Sequence, residues 1–280
     1  MTEEKKIPQI DISEIIRSKN PKLLKVLPGF VLNYLKKILH QEDVNQFLQQ
    51  HHGEYGLNFV RAIIRDFGIT VSSSGLENIP KNGGCIVASN HPLGGLDAIP
   101  LMDEISKVRK DLKFLVNDIL LTLENLRPVF VPINKHGKNA VETIHRITET
   151  YASDQCTLIF PAGLVSRKQG SVIKDLDWHK SFITQAVRHK RNVIPVFIDA
   201  FNSAFFYNLA FWRKRLGIPV NIEMLYLVNE MYKQKNKSIT IIFGKAIPYT
   251  TFTKEHTDKH WAQEVKSRVY SLQPLNSSSV

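Results

Sequence analysis

Cysteine is nearly missing: Cys85 and Cys156 are the two in 280 residues. Each lies inside an apolar run, "GGCIVAS" and "QCTLIF". The sequence therefore predicts buried free thiols suited to a reducing cytoplasm. No uninterrupted apolar stretch reaches the ~18–20 residues of a membrane-spanning helix, so any association with membrane is expected to be peripheral. The start, "MTEEKKIPQID", is polar and carries acids, and no signal peptide is expected. There is no Gly-x-Ser-x-Gly nucleophile elbow, no phosphate loop ending in Gly-Lys-Ser/Thr and no Gly-x-Gly-x-x-Gly fingerprint. No Cys/His cluster has zinc spacing, and Gly53 and Glu54 beside His51 and His52 do not complete a metal site. These absences weigh against serine hydrolases, NTPases, dehydrogenases and zinc enzymes. No metal and no cofactor are expected.

Positive charge, by contrast, is plentiful. Lys and Arg number 37 against 26 Asp and Glu, a formal net charge of +11. Such an excess favours anionic partners: nucleic acid, anionic lipid headgroups or an acidic carrier. No recognition-helix pattern or aromatic RNA-binding signature accompanies it, so nucleic acid is not expected. With 43% hydrophobic and 22% charged residues, the composition is ordinary for a folded chain.

Residues 1–75 read as a mostly helical region. In "NPKLLKVLPGFVLNYLKKILH" apolar residues recur at helical spacing, broken at Pro28-Gly29, and every charge is basic. The stretch suits either a helical cap on the main domain or an interfacial helix facing anionic headgroups. Another helix is predicted near residues 58–67, followed by a short strand, "GITVSSS".

Residues 76–272 then alternate. Branched apolar runs ("CIVAS", "LKFLV", "PVFVPI", "CTLIFP", "NVIPVFI") are separated by helical patterns at residues 98–109, 118–126, 138–151 and 175–188. This predicts an α/β fold with a mixed, largely parallel central sheet flanked by helices. "SITIIFGKAIPY" is a later strand, residues 253–272 a closing helix, and 273–280 a frayed tail.

Chemistry in such sheets gathers where strands end and loops lead into helices. One such loop is "SNHPLGGLDA". His91 opens a turn constrained by Pro92, and Gly94-Gly95 let the chain fold back. Asp97 has two readings there: a helix cap beside a polar turn histidine, or the carboxylate that orients His91 as a general base. "IFPAGLVSRKQGS" places Gly163, Ser166, Arg167 and Lys168 after another strand, which suits an anionic or carbonyl-bearing group or a solvated basic loop. Arg127, before "PVFVPI", is a further candidate anion contact. "AFFYNLAFWRKRLG" joins Phe205, Phe206 and Trp212 to Arg213, Lys214 and Arg215. It fits either the headgroup interface or a buried helix with a basic end.

Taken together, four blocks resemble the glycerolipid (lysophosphatidic acid-type) acyltransferase superfamily, in the order that family shows. They are "NHPLGGLD", "RPVFVPINK", "IFPAGLVSRK" and "VIPVFI", spanning Asn90 to Ile198. The resemblance implies a peripheral O-acyltransferase on the cytoplasmic face of the cell membrane. His91 and Asp97 would be catalytic, and Asn90, Arg127, Gly163, Ser166, Arg167 and Lys168 would bind substrate. The co-substrate would be an acyl carrier protein or CoA thioester, and an acidic carrier suits the basic charge. Two departures stand out. Five residues separate His91 from Asp97 where the family has four, and Ala162 replaces the glutamate that helps bind a glycerol-phosphate acceptor. Both are similar to the branch named for hemolysins, as are "GSVIKDLDWHKSF" with Trp178 and "IPVFIDAFNS". That branch implies as acceptor the 3-hydroxyl of an N-acylated amino acid, a lyso-ornithine or lyso-glycine lipid. Acylation of 1-acylglycerol 3-phosphate is the alternative within the enzymes, and a non-catalytic anionic-lipid or nucleic-acid binding protein the alternative outside them.

Overall fold

The computed structural model describes residues 9–117, 120, 122–133 and 140–274. Five helices come first: α1 (Ile12–Lys19), α2 (Pro21–Val26), α3 (Gly29–Ile38), α4 (Gln41–Gln50) and α5 (Leu57–Phe67). Asp11 caps α1 by accepting from the Ser13 amide, and Asn20 caps α2 by accepting from that of Leu23. The break at Pro28-Gly29 separates α2 from α3, as its sequence predicts. Gly68, at φ +59°, ends α5 in the left-handed conformation.

The strands β1 (Thr70–Ser74), β2 (Cys85–Ser89), β3 (Leu112–Val116), β4 (Phe130–Pro132) and β5 (Cys156–Ile159) follow, with α6 (Ala98–Ser106) and α7 (Ala140–Ala152) among them. Next come a two-stranded hairpin, β6 (Arg167–Gln169) and β7 (Val172–Lys174), then α8 (Ser181–His189) and β8 (Asn192–Asp199). The chain continues through α9 (Ala204–Arg215), α10 (Leu227–Tyr232), β9 (Ser238–Phe243) and α11 (Asp258–Tyr270).

Seven strands form one sheet in the order β1-β9-β8-β2-β5-β3-β4. Every neighbouring pair is parallel except β8 with β9. The mixed, largely parallel sheet predicted from the sequence is therefore present. Its strands bury alternate residues on two faces: Val87, Leu158, Ile194 and Val196 join one core, Ile86, Ala88, Val193 and Phe197 the other. Both faces being covered explains why the runs are continuously apolar rather than alternating.

Tertiary contacts override local pattern in three places. First, the helical region ends at Phe67 and β1 pairs with β9, so the boundary after residue 75 falls inside the sheet rather than ahead of it. Second, the described residues of 118–126 form 3-10 turns. There Asn125 is held by long-range bonds to the carbonyls of His51 and Glu54 and to the amide of Gly56. Third, the helix expected from residue 175 begins only at Ser181. Lys266 Nζ takes the carbonyls of Asp175 and Leu176, and Gln263 brackets the backbone of Trp178. Those groups are thereby removed from any helical ladder. The loop "INKHGKN" from residue 134, the start of the helix expected at 138, and most of the predicted tail lie outside the described residues.

Candidate active site

The carboxyl ends of β2, β5 and β8 converge on one loop, residues 90–97. His91 Nδ1 lies 2.8 Å from Asp97 Oδ2. Asp97 is wholly buried, and the His91 side chain is 16% exposed. The same carboxylate accepts from the amides of Leu93 (2.9 and 3.0 Å) and Gly94 (3.0 Å). It caps no amide of α6, although Asp97 immediately precedes that helix. Of the two readings the sequence left open, the geometry is that of the histidine–carboxylate pair.

Burial raises the Asp97 pKa above the ordinary carboxylate value, while the hydrogen bond and charge of His91 and the two amides pull against it. When ionised, Asp97 can only accept, so Nδ1 carries the proton and Nε2 presents its lone pair. The imidazole stacks on Phe160, centroids 4.4 Å apart and planes 13° from parallel.

The loop is tied on every side. Asn90 bonds both the amide (2.7 Å) and the carbonyl (2.9 Å) of Ile198 on β8. Asn202 Nδ2 donates to the Pro92 carbonyl at 3.1 Å, and the Ser166 amide donates to the His91 carbonyl at 2.8 Å. Of the two glycines, only Gly94 requires its lack of a side chain. Its φ is +89°, and a Cβ there would meet the Leu227 methyls at 3.3 Å, whereas one on Gly95 would meet nothing within 4 Å.

A histidine oriented in this way activates a hydroxyl but does not say whose. Residues 14–277 match a family model described as Acyltransferase. The chain belongs to this acyltransferase family. It is 45% identical over 264 residues to a lyso-glycine lipid O-acyltransferase of Bacteroides thetaiotaomicron, covering 94% of this chain and 97% of that one. A lyso-glycine lipid O-acyltransferase of Phocaeicola vulgatus is 44% identical, covering 94% and 95%. Among solved structures, the 1-acyl-sn-glycerophosphate (LPA) acyltransferase PlsC of Thermotoga maritima shares the fold. Its TM-score is 0.50 at 20% identity, over 87% of this chain and 81% of that one.

In this acyltransferase the other residues singled out from sequence divide into three groups. Asn90, Ser166 and Arg167 are buried and already bonded within the protein. Ser166 Oγ donates to Asp175 Oδ1 at 2.5 Å. Arg167 donates to the Val165 carbonyl and to Glu223 Oε1 at 3.1 Å, and burial lowers its pKa. Glu223 also faces Arg213, whose Nη2 donates to Oε1 at 3.3 Å and whose Nε lies 2.8 Å from Oε2. Arg167 thus belongs to an internal ion cluster with Glu223 and Arg213. The amide of Gly163 is likewise engaged, donating to the Phe160 carbonyl at 3.1 Å. Lys168, on β6, is exposed.

Arg127 lies elsewhere. It precedes β4, whereas His91 follows β2, and the strands from β2 to β4 run parallel. The two residues therefore sit at opposite ends of the strands, and Arg127 is ion-paired with Glu124 at 3.2 Å.

The third group is α9. Phe206 is fully buried against Val165 and Tyr207, and Arg213 serves Glu223, so neither is available to a surface. Phe205, Phe211, Trp212, Lys214 and Arg215 are exposed. Ala162 is buried in the core of the second sheet face.

Sequence reading missed Asp175, Glu223 and the part played by Asn202. For Asp175 and Asn202 a signal existed, since both sit in the stretches that resemble the hemolysin-named branch. Glu223 carries none, because Arg167 stands 56 residues before it and no local motif marks Arg213 as its second partner.

Proposed function

We propose that this acyltransferase moves a fatty acyl group from a thioester donor, acyl carrier protein or CoA, to the hydroxyl of a lyso-amino-acid lipid of the glycine type. The observation that carries this reading is the near full-length similarity to two lyso-glycine lipid O-acyltransferases. The site is consistent with it. His91 Nε2 removes the proton from the acceptor hydroxyl as the oxygen attacks the thioester carbonyl, and Asp97 holds the tautomer and steadies the imidazolium that forms. The carrier's thiol leaves with the proton, so no covalent acyl-enzyme is needed. Because Arg167 is enclosed by Glu223 and Arg127 lies at the far end of the strands, we assign contact with the acceptor's carboxylate to exposed Lys168.

Membrane docking completes the reading. No helix among the described residues is long and apolar enough to cross a membrane. Instead, Val26 and Phe30 stand out from α2 and α3, and Phe211, Trp212 and Leu216 from the end of α9. Helix α3 meets the 3-10 turn that follows α9 through a 2.8 Å contact between the hydroxyls of Tyr34 and Tyr226. With Lys214 and Arg215 at the α9 end, this surface suits the headgroup layer of anionic bilayers on the cytoplasmic side.

The acceptor is tested with purified protein, an acyl-thioester and two lyso-lipids: a 3-hydroxyacyl glycine and 1-acylglycerol 3-phosphate. Transfer to the first and not the second is expected. Preference for the phosphate overturns the assignment. Lipid mass spectrometry of cells lacking the gene provides the companion test, with the mono-acylated precursor accumulating.

A further inference from the structure

Asp175 is a second wholly buried carboxylate at this site, nine residues beyond Ser166 in the chain. No Lys, Arg or His among the described residues forms an ion pair with its carboxylate. A buried carboxylate without a cation is costly unless its lone pairs are filled by donors. Here Oδ1 accepts from the His91 amide (3.2 Å) and from Ser166 Oγ (2.5 Å), and Oδ2 accepts from Trp178 Nε1 (2.9 Å).

Its main chain is anchored independently. The Asp175 amide donates to the Tyr270 hydroxyl at 2.7 Å, and its carbonyl accepts from Lys266 and from Gln169, both at 2.8 Å. The carboxylate is thus fixed to α11 rather than carried by the loop it bonds.

These bonds close a ring. The His91 amide and Ser166 Oγ both donate to Asp175, and the Ser166 amide returns to the His91 carbonyl. Both backbone polar groups of His91 are held by this ring, and its Nδ1 is held by Asp97. Of the hydrogen-bonding groups of His91, Nε2 alone is left to react.

We infer that Asp175 is a positioning residue for catalysis: it fixes the main chain of His91 while Asp97 fixes the ring. The inference rests on His91 being the base. Misplacement of a reacting group by about 1 Å costs roughly 10²-fold in rate, which sets the scale of its effect.

Asp175→Asn keeps the shape but exchanges one acceptor for a donor. Whichever way the amide turns, an N–H faces the His91 and Ser166 donors or the Trp178 N–H. In folded protein, kcat should fall roughly 10²-fold with KM for both substrates unchanged. The NMR signal of the His91 Nδ1 proton should shift or broaden although Asp97 is intact. In Asp175→Asn/Trp178→Phe the opposing indole donor is gone, the amide oxygen can turn to His91, and kcat should recover at least tenfold over the single variant. Wild-type kcat in Asp175→Asn, or no recovery in the double variant, would show a merely structural role and overturn the inference. If Asp175→Asn does not fold, Ser166→Ala decides the matter: it opens the ring without adding a donor, and an unchanged kcat overturns the inference. His91→Ala runs alongside. Activity retained there overturns the base assignment itself, whereas activity lost there but kept in Asp175→Asn counts against Asp175 alone.

Discussion

Asp97 stands at the start of α6, yet its carboxylate bonds His91 Nδ1 at 2.8 Å and turns away from the free amides of the helix. The amides it does take, from Leu93 and Gly94, belong to the turn that separates the two residues. The turn therefore folds around the carboxylate. The extra residue between histidine and aspartate is absorbed without lengthening the contact.

His91→Ala removes the base together with its stack on Phe160 and its bond to Asp97. Acyl transfer should fall by about 10²–10⁴-fold. Thermal unfolding of the purified variant should remain cooperative, with a midpoint lowered by the lost stack, so that folded protein is assayed. Transfer at the wild-type rate would remove His91 from the mechanism.

Asp97→Asn leaves an acceptor for the turn amides but can present a donor to Nδ1, favouring the wrong tautomer. A loss of up to roughly 10⁴-fold in kcat is expected. Stability carries a second signature. Because burial raises the folded-state pKa, ionised Asp97 costs stability at neutral pH, and this cost is relieved as pH falls through the raised value. Melts across a pH series should show wild type gaining on Asp97→Asn upon acidification. A difference independent of pH contradicts the buried, ionised carboxylate.

The double glycine divides its duties unequally. Gly94→Ala places a Cβ at positive φ and against Leu227, and should cost roughly 1–2 kcal/mol together with part of the activity. Gly95→Ala meets open space and should be tolerated. Denaturant titration of both variants separates them, and equal effects would refute the distinction.

Glu223 holds two arginines from a fully buried position. Glu223→Ala leaves both guanidinium groups facing each other without a counter-charge. A loss of about 3–5 kcal/mol is expected, read as a fall in the denaturation midpoint. Near-neutral behaviour would mean that the cluster is solvated and Arg167 is available after all.

Exposed Trp212 and Phe211 should matter for vesicles and not for the fold. Phe211→Ala/Trp212→Ala should float poorly with both anionic and neutral liposomes. Lys214→Glu/Arg215→Glu should lose binding to anionic liposomes in particular. Wild type failing to float with either kind would dispose of the docking surface.

The sequence by itself determined the sheet, because strands buried on both faces must read as continuous apolar runs and the helices between them keep their 3.6-residue period. It also put His91 and Asp97 within one turn whose glycines and proline are visible in the chain, but only the folded turn directs the carboxylate to His91 rather than to the amides of α6. Tertiary structure alone decided the fate of the charges. Arg167 stands in a loop that looks free, and only the return of the chain at Glu223 encloses it. Arg127 looks close to the site until the parallel strands place it at their opposite ends. Asp175 reads as an opening helix residue until Lys266 and Tyr270, some 90 residues on, seize its backbone and turn its carboxylate to His91. Local periodicity is written in neighbouring residues. Whether a charge meets solvent or a counter-charge depends on segments that meet only when the sheet closes.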